Sequence, residues 1–502
     1  MKAQLKNSLC FAAMCVVLGL NKPNALAFSL LGPVQPWMQT TNGVILPGDI
    51  GGPMCISNEY RWNVPVVTYG FDQSFLDYFG TNGVAAVESA IQILNNLPPA
   101  SQIVLTNYPL DSQPVNYVAR AQSFYDLKSE TLSLLLEHLG LAQPTRNTYV
   151  LKQWTPAFIA SSSENDWDVW AVPDYIVQRN FAPQTVEASP YVNGALYSAY
   201  VGSNGIRNWI ITFPVDPFDD YTAVAGFNLS AGYFYTGLTY DDVGGLSYLL
   251  STNNVNYETL LSDVVGAGTN ANSFMNGAWR PGLDKITFMP QPVDPQSGAF
   301  LPTTNYFTDR YITNGILQQQ QVARIISQPD FLFSAGDVTS GSAELPFYSR
   351  TGTTNWLNNA TANGNTNGAG PGVIQPQVQI VFNKLGPLLY SGDGTSDEQV
   401  FVDSLQYWGS FDGSTNVPVI YPIPQTGTNQ MTVRMWLLFG TQFQKSFEWK
   451  PGSLPGEQFA MQTSTNLMNW TTLFTVTNNS SVCTYFNEGP TSPSRFYRLV
   501  PH

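Results

Sequence analysis

Acids and aromatic rings crowd one short stretch of this chain, where Glu164, Asp166, Asp168 and Asp174 interleave with Trp167, Trp170 and Tyr175. Sugar recognition is the chemistry such a mixture serves. An indole or phenol ring covers the apolar face of a pyranose while the carboxylates accept its hydroxyl hydrogens. Two of the acids, if held roughly 5 to 9 Å apart, could also hydrolyse a glycosidic bond. The same alternation fits an ordinary strand with buried rings and exposed acids. A second acidic loop places Asp393, Asp397 and Glu398 around Gly394, clustered oxygen donors that suit a structural calcium ion or a plain hairpin turn. Glu164, Asp166 and Asp168 imitate the start of a calcium loop, but Val169 stands where the sharp turn requires glycine. Asp216-Pro217-Phe218-Asp219-Asp220 reads as a turn.

Other chemistries lack their residues. His138 and the terminal His502 are the only histidines, which excludes most histidine-based catalysis, and neither a G-x-S-x-G elbow nor a phosphate loop occurs. Asp241 and Asp242 could divide acid and base roles. They follow Thr239 at the spacing of a capping box and complement the positive end of a helix dipole, which makes them structural. Gly244-Gly245 inside that helix costs roughly 1 kcal/mol per glycine relative to alanine, so close packing against another backbone is expected there.

Lys2 and Lys6 precede an apolar run from Leu9 to Leu20, and Ala25-Leu26-Ala27 supplies the small residues a signal peptidase recognises. Residues 1–27 are expected to be removed on export, leaving Phe28 first, in a periplasmic, cell-surface or extracellular setting. The apolar run is shorter than the ~20 residues that span a bilayer, so no transmembrane segment is expected in the mature chain. Cys10 and Cys15 leave with the leader. Cys55 and Cys483 remain, as a disulfide or as two buried thiols. Charged residues make up only 11% of the chain, against roughly 25% in ordinary soluble domains, and the formal net charge is −14. That balance disfavours nucleic acid and suits a neutral or cationic partner.

The elements that would position these residues fall into an α+β region, 28–350, followed by all-β modules. Val64 to Phe71 reads as a strand, and the spacing of Val84, Val87, Ile91 and Leu94 predicts a helix that Pro98-Pro99 ends. Leu132, Leu135, Leu136 and Leu139 predict a second helix with Gly140 at its stop and His138 on its surface or at its cap. A third helix begins at Thr239, and a fourth is predicted from Ile316 to Gln328. Residues 351–372, rich in Thr, Asn and Gly, read as a linker or loop. Beyond it, alternating segments such as Val378 to Phe382 and Met431 to Phe439 predict an immunoglobulin-like β-sandwich over 373–442, with a small β module over 443–502.

Three resemblances add to this reading. Val67-Thr68-Tyr69, the helix from Gly83 and Leu238-Thr239-Tyr240-Asp241-Asp242-Val243-Gly244-Gly245-Leu246 together resemble the matrixin type of metzincin protease. Such enzymes hold zinc through H-E-x-x-H plus a third ligand, whereas His138 is the one imidazole between the two matching segments, so the resemblance implies a pseudoenzyme without its zinc ligands. Gln462 to Trp470, followed by Arg495-Phe496-Tyr497-Arg498-Leu499, resembles a C-terminal β module of exported proteins in the Verrucomicrobia and Planctomycetes group; Asn466 replaces a common aspartate. Segments such as Phe71 to Gly80 and Gln328 to Phe333 are similar to an uncharacterised secreted family of such bacteria. These last two imply export and modular architecture and carry no activity. The leading expectation is a secreted, noncatalytic surface or matrix protein that binds a neutral polymer, a polysaccharide or another surface component, without a cofactor. The alternatives are a glycan-active hydrolase using a carboxylate pair and the zinc-free metzincin-like pseudoenzyme.

Overall fold

The computed structural model describes residues 27–40, 43–45, 49–153, 175–203, 208–218, 222–226, 229–268, 274–336, 351–358, 371–384, 387–391, 400–405, 407–422, 443–447, 458–464, 469–477, 484–488 and 496–501. It is a mixed α/β structure, mostly strands, with several antiparallel sheets. The chain divides into two units, Met1–Val419 and Ile420–His502.

Strand β1 (Phe28–Gly32) is buried throughout and pairs antiparallel with Gly52–Met54, Leu141–Ala142 and Asn180–Phe181. Strand β2 (Val66–Phe71) leads into helix α1 (Gln73–Asn95), whose first turn is capped by Asp72 accepting the Phe75 N–H at 3.0 Å. Gly80 breaks α1 at φ 58°, a conformation that a side chain would strain. Asp126 likewise caps helix α2 (Leu127–His138), and Gly140, at φ 110°, lets the chain leave it toward Leu141–Ala142. Helix α3 (Tyr240–Leu250) starts where expected, with the Asp242 carboxylate accepting the Thr239 N–H at 2.9 Å. Strands β3 (Val255–Thr259), β4 (Val264–Gly266), β5 (Gly277–Pro281), β6 (Thr287–Pro290), β7 (Thr303–Thr313), β8 (Ile316–Ile326), β9 (Phe331–Gly336), β10 (Thr351–Asn358) and β11 (Gly372–Asn383) follow.

They sort into two sheets. In the first, β6, β2, β9 and β11 are parallel neighbours in that order, and β10 closes the edge antiparallel to β11. Helix α1 covers it through a cluster of rings: Phe75 lies 4.9 Å from Phe71, 4.7 Å from Phe79 and 6.1 Å from Phe382. Each wholly buried phenyl contributes about 1.5 to 3 kcal/mol of transfer free energy, enough to decide which face of α1 turns inward. The second sheet, β3-β5-β7-β8-β4, is antiparallel.

Several expectations change. The segment predicted as a fourth helix is strand β8, drawn into a hairpin by Asn314 and Gly315 at φ 53° and 74°, the conformation of a two-residue primed turn. Residues 351–358, placed in a linker, form β10, and Val378 to Phe382 lies in β11, which joins the first sheet between β9 and β10. His138 is wholly buried rather than on a helix surface; its Nδ1 lies 2.8 Å from the Leu134 carbonyl oxygen and its ring meets Phe331 edge-on at 6.1 Å. Gly244 and Gly245 do admit close neighbours, but these are the side chains of Pro183, Leu141 and Phe28 rather than a second backbone. Met431 to Phe439 lies outside the described residues. In the second unit Phe443–Phe447 pairs antiparallel with Thr484–Glu488, and Gln458–Ser464 lies between Thr471–Thr477 and Phe496–Pro501.

Candidate functional site

The β3-β5-β7-β8-β4 sheet inverts the usual pattern of a half-buried sheet, in which apolar residues face inward and polar ones outward. Its inner face carries charge. Arg280 grips Asp309 with two parallel bonds, Nε to Oδ1 at 2.9 Å and Nη2 to Oδ2 at 3.0 Å, and Gln320 donates to the same carboxylate at 2.7 Å. Arg61 donates to Glu258 at 2.6 Å and to the Arg280 carbonyl at 2.9 Å, which ties the sheet to the segment before β2. Arg324 bridges Asp263 at 2.9 Å and Asp330, and Asp330 accepts the Thr68 N–H of β2 at 2.8 Å. Burial pushes the Glu258 carboxyl above the usual carboxylate range against the pull of Arg61 and Arg280. Burial raises Asp263 as well, against the pull of Arg324. Forked guanidinium pairs fix both partners in direction, so this buried lattice sets the sheet rigidly on the first one.

The outer face has the opposite chemistry. Register places Tyr257 beside Trp279, Trp279 beside Ile312 and Ile312 beside Leu317. Trp279 is 47% exposed and meets the Tyr257 ring edge-on at 5.8 Å. Further along the same face Arg310 pairs with Gln319, Thr308 with Gln321, and Tyr306 with Ala323. Gln321 Nε2 donates to Thr308 Oγ1 at 2.9 Å. Tyr306 is 71% exposed, with Ile325 and Val265 beside it. Because side chains alternate along a strand at about 3.4 Å per residue, the six residues from Ile312 to Tyr306 separate the two aromatic ends by about 20 Å. Between them lies a lane of amides and hydroxyls, and among the described residues of this face Arg310 is the one cation and there is no carboxylate.

This is not where the sequence placed a site. Glu164, Asp166, Trp167, Asp168, Trp170 and Asp174 lie outside the described residues, and Tyr175 opens Tyr175–Val177, which pairs with Val150–Gln153. The calcium candidates Asp393, Asp397 and Glu398 also lie outside them. Among the described residues no cluster of three or more His, Cys, Asp or Glu is arranged to hold a metal. Cys55 is half-buried, its Sγ accepting from Asn58 Nδ2 at 2.9 Å, and Cys483 lies outside the described residues. Asp216 makes the expected turn by accepting the Phe218 N–H at 3.0 Å. Asp242 is spent on structure, accepting the Val224, Ala225 and Thr239 N–H groups. No helix among the described residues is long and apolar enough to cross a membrane. Asn314-Gly315, flanked by alternating segments, was the signal in the sequence that could have revealed the outer face. No family model, no curated protein and no solved structure matches the chain.

Proposed function

We propose that this is an exported, noncatalytic recognition protein that binds a neutral polysaccharide along the outer face of β3-β5-β7-β8-β4. The observation that carries this reading is the exposure of Trp279 and Tyr306 at the two ends of one sheet face whose middle offers only Thr308, Arg310, Gln319 and Gln321. Rings at both ends would stack on sugar faces and the amides and hydroxyls between them would bond to sugar hydroxyls, and among the described residues of this face no carboxylate stands ready to protonate a glycosidic oxygen. A net charge of −14 also favours an uncharged polymer over an acidic one. Aromatic rings left this exposed on one face mark a contact surface. We read the antiparallel strands of the second unit as a small β-sandwich accompanying this one.

The test is incubation of the exported chain with a panel of neutral polysaccharides, recording retained protein and released sugar ends together. Retention without release, lost in the Trp279→Ala/Tyr306→Ala variant, is the expected result. Release of sugar ends would replace this reading with that of a hydrolase acting through the Glu164 to Asp174 segment.

A second reading, the zinc-free metzincin-like pseudoenzyme, draws support from the first sheet, whose parallel strands and antiparallel edge carry α1 and lie in the same unit as α2 and the acid-capped α3. Chain order counts against it, because β6, β9, β10 and β11 follow α3, the helix with which the resemblance closes the domain. On that reading the outer face of the second sheet is idle, and Trp279→Ala leaves retention unchanged.

A further inference from the structure

Arg310 stands apart from the arginines packed into the same unit. Arg61, Arg146, Arg280 and Arg324 each bridge a carboxylate, and Arg120 and Arg179 lie over the rings of Tyr233 and Trp37. Arg310 is exposed, and among the described residues no carboxylate forms an ion pair with it. The acid next to it in the chain, Asp309, is turned to the inner face, because successive side chains of a strand alternate. There Arg280 and Gln320 hold it at 2.9 and 2.7 Å. Directly across from Arg310 on β8 stands Gln319, whose amide adds a second donor, whereas Gln321 and Thr308 are bonded to one another.

A guanidinium presents its N–H groups in a planar fork that matches the two oxygens of a carboxylate, and such charge-assisted pairs are stronger than bonds to neutral hydroxyls. An exposed ion pair gains little when both partners must be brought together from solution. On this face the rings would already hold the ligand, so the contact with Arg310 forms within a bound complex. Its place is also fixed. At about 3.4 Å per residue, Arg310 lies about 7 Å along β7 from Ile312, where Trp279 pairs, and about 14 Å from Tyr306. A chain net charge of −14 repels a polymer with an acid on every unit, so the acid that suits this guanidinium is an isolated one, nearer to Trp279 than to Tyr306.

We propose that the outer face of β3-β5-β7-β8-β4 selects polysaccharides whose neutral backbone carries sparse uronic acid branches, with Arg310 receiving the branch carboxylate between Trp279 and Tyr306. This inference rests on the reading of that face as a polysaccharide site and narrows its ligand. The rings supply the grip on the backbone, and Arg310 reads what the backbone carries.

The test titrates the chain from Phe28 onward, at low salt, with fragments of xylan, glucan and mannan long enough to reach both rings. Each fragment is used in three forms: neutral, with one glucuronic acid branch, and with that branch as its methyl ester. For a backbone that binds, the acid form is expected to bind about fivefold more tightly than the neutral form or the ester, and the advantage to shrink below about twofold in roughly 0.5 M salt. In Arg310→Gln the ratio of acid to neutral affinity is expected to fall to about one, since a neutral amide offers no charge to the carboxylate. Equal affinity for acid and ester, or an acid preference that survives Arg310→Gln, would overturn the inference. Neutral fragments that bind through Trp279 and Tyr306 without any acid preference would leave the polysaccharide reading standing and remove this inference alone. Binding of no form of any fragment would overturn both.

Discussion

The two faces of one sheet put their side chains to opposite uses. On the inner face Arg280 is buried against Asp309, and Arg324 against Asp330 of the segment before β9, whereas on the outer face Trp279 and Tyr306 stand in solvent. An ordinary half-buried sheet would exchange them. The difference teaches that charge is not always the group a sheet shows to solvent: here Arg280 and Asp309 brace the sheet itself, Arg324 and Asp330 tie it to the first one, and the rings are left exposed.

Breaking the inner face should have the largest effect on folding. Arg280→Met strands the Asp309 carboxylate in the interior and should cost about 3 to 5 kcal/mol, read from the urea midpoint and slope. A buried carboxylate without an arginine sharpens the contrast. Burial raises the pKa of Asp126 to about 6, against the opposing bonds from Ser129 and Phe411 and the charge of Lys128. A group raised in the folded state holds its proton there while the unfolded chain has lost it. Its stabilisation is therefore complete below the unfolded value of 3.8 and lost as pH rises through about 6. At about 1.4 kcal/mol per pKa unit this amounts to roughly 2 to 3 kcal/mol. Asp126→Asn, which keeps a capping oxygen, should remove that slope from unfolding curves measured between those pH values. Next in size, Gly315→Val forces a branched side chain into φ 74° and should cost about 1 to 2 kcal/mol. Smallest for stability is the outer face itself: Trp279→Ala and Tyr306→Ala should each shift unfolding by no more than roughly 0.5 kcal/mol, while retention on polysaccharide falls at least tenfold.

How far the sequence could be read follows from which contacts were local. Asp242 lies three residues after Thr239, so the start of α3 was legible, as was the inward face of α1 at Val87, Ile91 and Leu94. Gln318 to Gln321 carries good helix formers among apolar residues at mixed spacing, and a single window suggested a helix. Its state is decided by the Asn314-Gly315 turn and by pairing along the whole of Thr303–Thr313, which no local window contains. The face proposed for recognition was missed for the same reason. Trp279 and Tyr306 are far apart in the chain and share a face only because β5 and β7 pair at Trp279 and Ile312. The crowding of acids and rings near Trp167 was the more visible pattern because it was local.

The most direct measurement is a calorimetric titration of the chain from Phe28 onward with length series of soluble fragments of neutral polysaccharides. If Trp279 and Tyr306 grip one chain, affinity rises until a fragment spans about 20 Å and then levels, and Trp279→Ala/Tyr306→Ala removes that rise. Affinity that does not depend on fragment length, or that survives both substitutions, would contradict a binding site on this face.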